Sequence, residues 1–276
     1  MVTYFVLKKL KGRFFGSALA RSNNKVMNTY GWGVQFRENS LQNLVVEYLG
    51  VFHLGARIRN KILTGILEKE DHLDHKLLDA GCGVGLASIY LSSRFHEVCG
   101  VDIDRLKIKE AKILAEENRS KNVNFKRIDL LTDGFTKDKF DVIICFEVME
   151  HVVSDRKLVY NLSKLLKNNG QLILSVPSKT LLSRIAQKSL DHYKVGYTPD
   201  DIKKLLPGTK LIITDEFSFG KSILGKSVVA CDFIFRKTFP ILASIFFPVF
   251  YPLLILDNYL PKFGIPRGYV LVLGKR

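Results

Sequence analysis

Cysteine is sparse in this sequence: Cys82, Cys99, Cys145 and Cys231 are widely scattered, and no two form a C-x-x-C pair. That excludes a disulfide framework, gives no support for a zinc site, and makes a reducing compartment the default. Acidic residues are also scarce, with 27 Asp and Glu against 42 Lys and Arg, for a formal net charge of +15. An excess of that size calls for an anionic partner. Nucleic acid is disfavoured, because there is no RNA-binding module and no aromatic-basic stacking platform. A cleaved signal peptide is not expected either. In "MVTYFVLKKLKGRFFGSALA" the apolar stretch before Lys8 is too short, and the basic residues interrupt the run instead of preceding it. At 47% hydrophobic residues disorder is not expected, and 276 residues suit one large domain or one domain with an elaboration.

The middle of the chain alternates strands with helices. "KLLDA" (76–80), "EVCGVD" (97–102), "VNFKRID" (123–129), "FDVIICF" (140–146) and "GQLILSVP" (170–177) are short apolar or β-branched runs. Between them, "DRLKIKEAKILAEEN" carries Ile108, Ala111 and Ala115 on one stripe, with Asp104 as its cap. "SDRKLVYNLSKLLKNNG" aligns Leu158, Leu162, Leu165 and Leu166, with Ser154 expected to start the helix and Gly170 to close it. Such alternation implies a parallel sheet covered on both faces, with ligands beyond the carboxyl ends of its strands.

At one such end stands "LLDAGCGVGLASIYL", with Gly81, Gly83 and Gly85 in five positions. A sharp turn from strand to helix and a close ligand both require residues without side chains there. The order is not the G-x-G-x-x-G of a dinucleotide loop, and Asp79 just before it would repel a pyrophosphate while suiting a cationic ligand. Asp102 in "GVDID" ends the second strand, where a carboxylate can take both hydroxyls of a ribose. Asp129 in "RIDLL" ends the third, within reach of an adenine amino group.

The blocks "LDAGCGVG", "GVDID", "RIDLLTDGF" and "FDVIICFEVMEHV", in this order across residues 75–178, closely resemble the class I S-adenosylmethionine-dependent methyltransferases. The resemblance implies an α/β, Rossmann-like fold, with a seven-stranded, mostly parallel sheet and helices on both faces. It implies S-adenosyl-L-methionine as cofactor. Asp79, Gly81, Gly83 and Gly85 would form the methionine-side loop, and Asp102 would hold the ribose. Ile103 would pack on the adenine, Asp129 with Leu130 would line its amino edge, and Glu147 would face the cofactor.

The cofactor's sulfonium makes its methyl electrophilic, so the protein's tasks are alignment, dehydration and proton removal. His151, on the rim after the fourth strand, is the candidate catalytic base. The E-x-x-E-H spacing of Glu147, Glu150 and His151 is similar to the O-methyltransferases of ubiquinone biosynthesis, where the triplet has been associated with a divalent metal; use of a metal here stays open. A capping role for His151 is the competing reading. "DHYKVGYTPDDIKKLL", with His192, Tyr193 and Tyr197 before a helix begun by Thr198 and Pro199, would lie over the acceptor or be only a capped connection.

Residues 1–70, including "NTYGWGVQF" and the stripe Ile58, Ile62, Ile66, would lid the core of residues 71–221. The sheet resumes with "KLIITDEF" (210–217) and finishes with "GYVLVLGKR" (268–276), the final strand falling in residues 267–276. Between them residues 222–266 form a hydrophobic helical insertion whose run 238–256 carries no charge. That run is long enough to span a bilayer, but Pro240, Pro248 and Pro252 would break a spanning helix. Spanning would also part the last strand from its sheet. Broken helices lying on the domain or dipping into a membrane interface are expected, with an acceptor lid as the alternative. Basic clusters at "KKLKGR" (8–13), at Arg57, Arg59 and Lys61, and at Arg236, Lys237, Lys262 and Arg267 suit an anionic membrane surface.

The leading expectation is therefore methyl transfer to a small, lipophilic or lipid-linked acceptor, at oxygen, by a cytoplasmic protein with peripheral membrane contact. A catalytically silent scaffold of the same fold and a nicotinamide-dependent oxidoreductase are the alternatives.

Overall fold

The computed structural model describes residues 54–132, 139–189, 193–238 and 240–276. In chain order the first half contains α1 (Leu54–Leu67), β1 (Lys76–Ala80), α2 (Leu86–Leu91), β2 (Glu97–Asp102), α3 (Arg105–Glu117), β3 (Val123–Arg127) and β4 (Phe140–Phe146). Then come α4 (Asp155–Leu165), β5 (Leu166–Pro177), α5 (Leu181–Ser189), α6 (Pro199–Lys203), β6 (Leu211–Phe219), α7 (Ile223–Thr238), α8 (Pro240–Leu256) and β7 (Gly268–Lys275). The segments at 1–53, the basic cluster 8–13 and His192 lie outside the described residues, as do the side chains of Arg57, Arg236 and Lys237.

β1 and β4 are apolar nearly throughout, and strands of that composition must be covered on both faces. The seven strands pair in the order β3-β2-β1-β4-β5-β7-β6, with β7 antiparallel to both neighbours. Alternate residues feed two cores. Leu78, Ala80, Ile143, Leu172 and Leu174 meet Leu158, Leu162 and Leu165 of α4 on one face. Leu77, Ile144, Ile173, Val270 and Val272 meet α1 and the α7–α8 pair on the other. Strand order reverses between β1 and β4, which opens a crevice beyond their carboxyl ends.

The expected caps are present. The Asp104 carboxylate accepts from the Leu106 and Lys107 amides, Ser154 accepts from the Lys157 amide, and Thr198 forms a capping box with Asp201. Two boundaries differ from the sequence reading. β3 ends at Arg127, so Asp129 lies in the turn beyond it. Gly170 does not close α4, which ends at Leu165; it lies inside β5. The reason is a long-range one. Pairing jumps from Phe140↔Leu166 to Val142↔Gln171, so residues 167–170 bulge opposite Asp141. The Asp141 carboxylate fixes the bulge by accepting from Lys167 and from the Lys76 amide. A Cβ on Gly170 would come within 2.9 Å of the Asp141 carbonyl oxygen.

The insertion also departs from expectation. α8 runs unbroken through Pro248 and Pro252, although each proline removes one helical donor. Both prolines are exposed, so the carbonyls they leave unpaired face away from the core. Pro240 opens the helix, where no donor is needed. On the inner side Leu254, Val228 and Val229 are buried against the sheet. Asp257, just beyond α8, accepts from the Lys221 and Ser222 amides at the start of α7 and closes the hairpin. Among the described residues no helix is long and apolar enough to cross a membrane.

If the insertion is part of the core, Leu254→Ala should lower global stability by about 2–4 kcal/mol in a single cooperative denaturant transition. A loss under about 1 kcal/mol, or a separate early transition, would mean that the hairpin is an appendage.

Candidate active site

The chain must reverse direction between β1 and α2, and it does so through three left-handed residues: Gly81 at φ 82°, Gly83 at 55° and Gly85 at 78°. The three are required for different reasons. A Cβ on Gly81 would sit 2.2 Å from Val148, and one on Gly85 would sit 2.3 Å from the Phe125 ring. At Gly83 a Cβ would meet no protein atom within 4 Å, so that flank of the loop is open. The Gly81 and Cys82 amides donate to the Val101 carbonyl, and the Gly83 amide donates to Asp102 at 2.9 Å. The other Asp102 oxygen accepts from the Asp104 amide at 2.9 Å. Asp102 thus ties the loop to the start of α3.

Asp79 lies beneath the loop rather than beside it. It is buried, and it accepts a 2.6 Å bond from the Ser88 hydroxyl on α2. Burial, with the Asp102 charge adding to it, pushes its carboxyl up to about 6, against the opposing Ser88 hydrogen bond. Past β2, Ile103 is 60% exposed and Leu106 is exposed beside it, an apolar platform open to a flat ring. Asp129 is exposed and accepts from the Leu131 amide. Leu130 is different: its side chain is in the core, and its carbonyl accepts from Asn161.

The rim after β4 is more heavily built than its sequence suggests. Glu147 adopts φ 55° and accepts from the Ser175 hydroxyl at 3.0 Å. Its other oxygen lies 3.4 Å from the Arg59 guanidinium of α1. Residues Met149–His151 form a 3₁₀ turn in which Glu150 is buried and His151 exposed. One Glu150 carboxyl oxygen has no hydrogen-bond partner. Burial first, and then the Glu147 charge, raise its proton affinity well above the usual carboxylate range. The turn is clamped from outside, since the Tyr193 and Lys194 amides donate to the Glu150 carbonyl and the Tyr197 hydroxyl donates to that of Met149. Among the described residues no group of three His, Cys, Asp or Glu side chains could hold a metal ion. Glu147 is engaged by Arg59 and Ser175 instead.

The glycine loop, the acids at the strand ends and the rim after β4 thus meet at one crevice. Sequence reasoning missed the two partners of Glu147. Arg59 was legible only as part of a basic cluster; its place four residues before the buried Leu63 was the available signal that it borders the packed side of α1. Ser175 gives no signal within an apolar strand.

The strand order and this crevice define a nucleotide-binding α/β enzyme fold of the methyltransferase type. A family model for a methyltransferase domain matches residues 71–215, and the chain belongs to that family, the class I S-adenosylmethionine-dependent methyltransferases. Ubiquinone biosynthesis O-methyltransferase of Rickettsia akari is 32% identical over 157 residues, which cover 54% of this chain and 61% of that protein. The Rickettsia bellii protein of the same name is 32% identical over 184 residues, covering 60% and 75%. The chain thus spans about three fifths of the first relative's length. Among solved structures, geranyl diphosphate C-methyltransferase from Streptomyces coelicolor shares the fold with a TM-score of 0.62 at 14% identity, covering 90% of this chain and 86% of that one. Magnesium protoporphyrin IX methyltransferase from Synechocystis gives 0.54 at 18% identity, covering 92% and 96%.

The raised carboxyl of Asp79 has a signed consequence. The folded protein holds this proton more tightly than the unfolded chain, whose value is 3.8. Its stabilisation is therefore complete below about pH 4 and is lost as pH rises through about 6. Asp79→Asn should gain on the wild type across that window, by on the order of 2–3 kcal/mol, in denaturant melts taken at a series of pH values. A difference between the two proteins that does not vary with pH would refute the assignment.

Proposed function

We propose that this protein transfers the methyl group of S-adenosylmethionine to a hydroxyl oxygen of a small, lipophilic acceptor of the quinone-precursor kind. The observation that carries the reading is Asp102 at the crevice, joining the open flank of Gly83 to an exposed apolar platform at Ile103. Those residues fit the cofactor. Asp102 keeps lone pairs beyond its two backbone bonds for a ribose diol, and Ile103 offers a surface for adenine. Asp129 can accept from the adenine amino group, while Leu130 serves as floor and not as a contact. The bends at Gly81, Gly83 and Gly85 keep the loop backbone close to the methionine end, with Asp79 supplying negative charge from below. Glu147, held by Arg59 and Ser175, borders the same space. When bound, the cofactor supplies an electrophilic methyl group.

On this reading His151 takes the proton of the acceptor hydroxyl as its oxygen attacks. It is exposed on the rim, whereas Glu150 beside it is buried and disfavours ionisation, so it is ill suited as a base. The curated relatives named as ubiquinone O-methyltransferases support oxygen as the acceptor atom. His151→Ala should leave cofactor affinity unchanged and lower turnover by about 10² or more. Loss of stability with normal turnover per folded molecule would give His151 a capping role. Wild-type binding of cofactor with no turnover on any hydroxylated aromatic would favour the silent scaffold.

The insertion supplies a route for such an acceptor. β6 runs parallel to β5, so its end at Phe219 lies on the same edge of the sheet as the crevice, and α7 starts there. Along the hairpin that starts there, Ile234, Phe246, Val249, Leu256, Tyr259 and Phe263 are exposed, as is Lys262, with the half-buried Lys221 and Lys226 nearby. An anionic bilayer complements both the apolar side chains and the lysines. The protein should co-sediment with phosphatidylglycerol vesicles more than with phosphatidylcholine ones, less so at high salt, and alkaline carbonate should release it. Carbonate resistance would mean a spanning anchor, and no vesicle binding would leave the hairpin as a lid over the acceptor.

A further inference from the structure

Outside the crevice, the loop 193–197 separates the Met149–His151 turn from a cavity of about 560 Å³. Its charged lining is Lys179, Arg184, Lys194 and Lys204 against Asp155 and Asp201, an excess of two positive charges. Both acids are already engaged. Asp201 takes Lys179 at 2.7 Å together with the Thr198 amide and hydroxyl, and Asp155 takes Lys194. The Lys179 hydrogen bond foremost, reinforced by Thr198, holds the Asp201 carboxyl down at about 2, so it stays ionised and paired. No described carboxylate pairs with Arg184 or Lys204. The remaining wall is largely apolar or aromatic, with Tyr193, Val195, Tyr197 and Leu205. Two cations without a carboxylate partner among the described residues, in a concave, partly aromatic site, suit an anion carried on an apolar body.

The position of the cavity connects it to the chemistry. Its wall hangs on the rim turn through the Tyr193 and Lys194 amides on Glu150, and through the Tyr197 hydroxyl on Met149. The Tyr197 amide donates to the Pro177 carbonyl at the end of β5, so the wall is fastened to two strand ends at once. We propose that this cavity binds an anionic group, carboxylate or phosphate, of the methyl acceptor, and that Arg184 and Lys204 are the groups that select it. The proposal rests on the methyltransferase reading above. It deepens that reading by making the acceptor an acid and not merely a lipophilic phenol. Lys179 and Lys194 are neutralised by their acids and keep the walls in place, while Arg184 and Lys204, unpaired with any described carboxylate, are the groups that would meet the ligand.

The test uses the whole protein saturated with S-adenosylhomocysteine and titrated calorimetrically with benzoate, phenyl phosphate and phenol. Both anions should bind, and phenol should bind about tenfold more weakly or not at all. The double variant Arg184→Ser/Lys204→Ser should weaken the anions by about tenfold or more while leaving the affinity for phenol and for S-adenosylhomocysteine unchanged. A preference for phenyl phosphate would assign a phosphate-bearing acceptor, and a preference for benzoate a carboxylic acid; either supports the proposal. Equal binding of phenol, no effect of the double variant, or the same loss from a distant pair, Lys112→Ser/Lys121→Ser, would overturn it. Failure of the wild-type protein to bind S-adenosylhomocysteine, with the anion preference and its loss in the double variant both intact, would count against the methyltransferase reading alone.

Discussion

The Asp102 carboxylate accepts the Gly83 amide with one oxygen and the Asp104 amide with the other, and the geometry of the crevice follows from those two bonds. Without the first, the loop is held by the Val101 carbonyl and by the Gly85 amide donating to the Cys82 carbonyl, and none of its three left-handed glycines has a side chain to pack. Without the second, the approach to α3 is held by its own cap at Asp104 and by the Arg127 side chain donating to the Ile103 carbonyl. The same carboxylate sits next to the exposed Ile103, so the group that organises the loop also stands beside the apolar platform. A ligand that bonds Asp102 therefore reinforces a contact that already exists, which limits the ordering entropy that binding must overcome.

Five carboxylates lie around the crevice; apart from the exposed Asp129, their surroundings divide them. Asp102 is partly open and bonded by amides, so its charge is supported. Asp79 is buried with one hydroxyl partner, and its proton is held up to about pH 6. Glu147 shares Ser175 and Arg59, while Glu150, a turn away and buried, has neither. Burial first, and then the Glu147 charge, disfavour ionisation of Glu150, with Arg59 opposing them. α1 thus does more than cover the sheet. It delivers the guanidinium that lies 3.4 Å from Glu147.

Much of this was legible in the sequence because it is local. β1, β2 and β4 were read with their observed limits, since doubly covered strands are apolar runs bounded by turn residues. Asp104, Ser154 and Thr198 were readable as caps because a cap is satisfied within three residues. What escaped depends on partners far along the chain. Gly170 looks like a helix stop until Asp141, nearly thirty residues earlier, is seen to fold the segment into a bulge. Arg59 looks like surface charge until Glu147 is found opposite it. Leu130 follows the acid that the resemblance assigns to adenine, but Asn161 and the core claim it.

The insertion shows the same competition between local and tertiary terms. Pro248 and Pro252 argue for a broken segment, and in isolation two such residues four apart would cost a helix several kcal/mol. In the folded chain they occupy the exposed side, while Leu254 packs on the sheet and Asp257 locks the far end of the hairpin to the start of α7. Packing of one side is sufficient to hold the helix. The opposite side is then left with proline, valine and leucine, residues that gain nothing from water. α3, by contrast, carries charge on its outer side with Lys109 and Lys112. Both helices are fixed from within by buried side chains, so the apolar outer side of α8 is not demanded by its packing on the sheet.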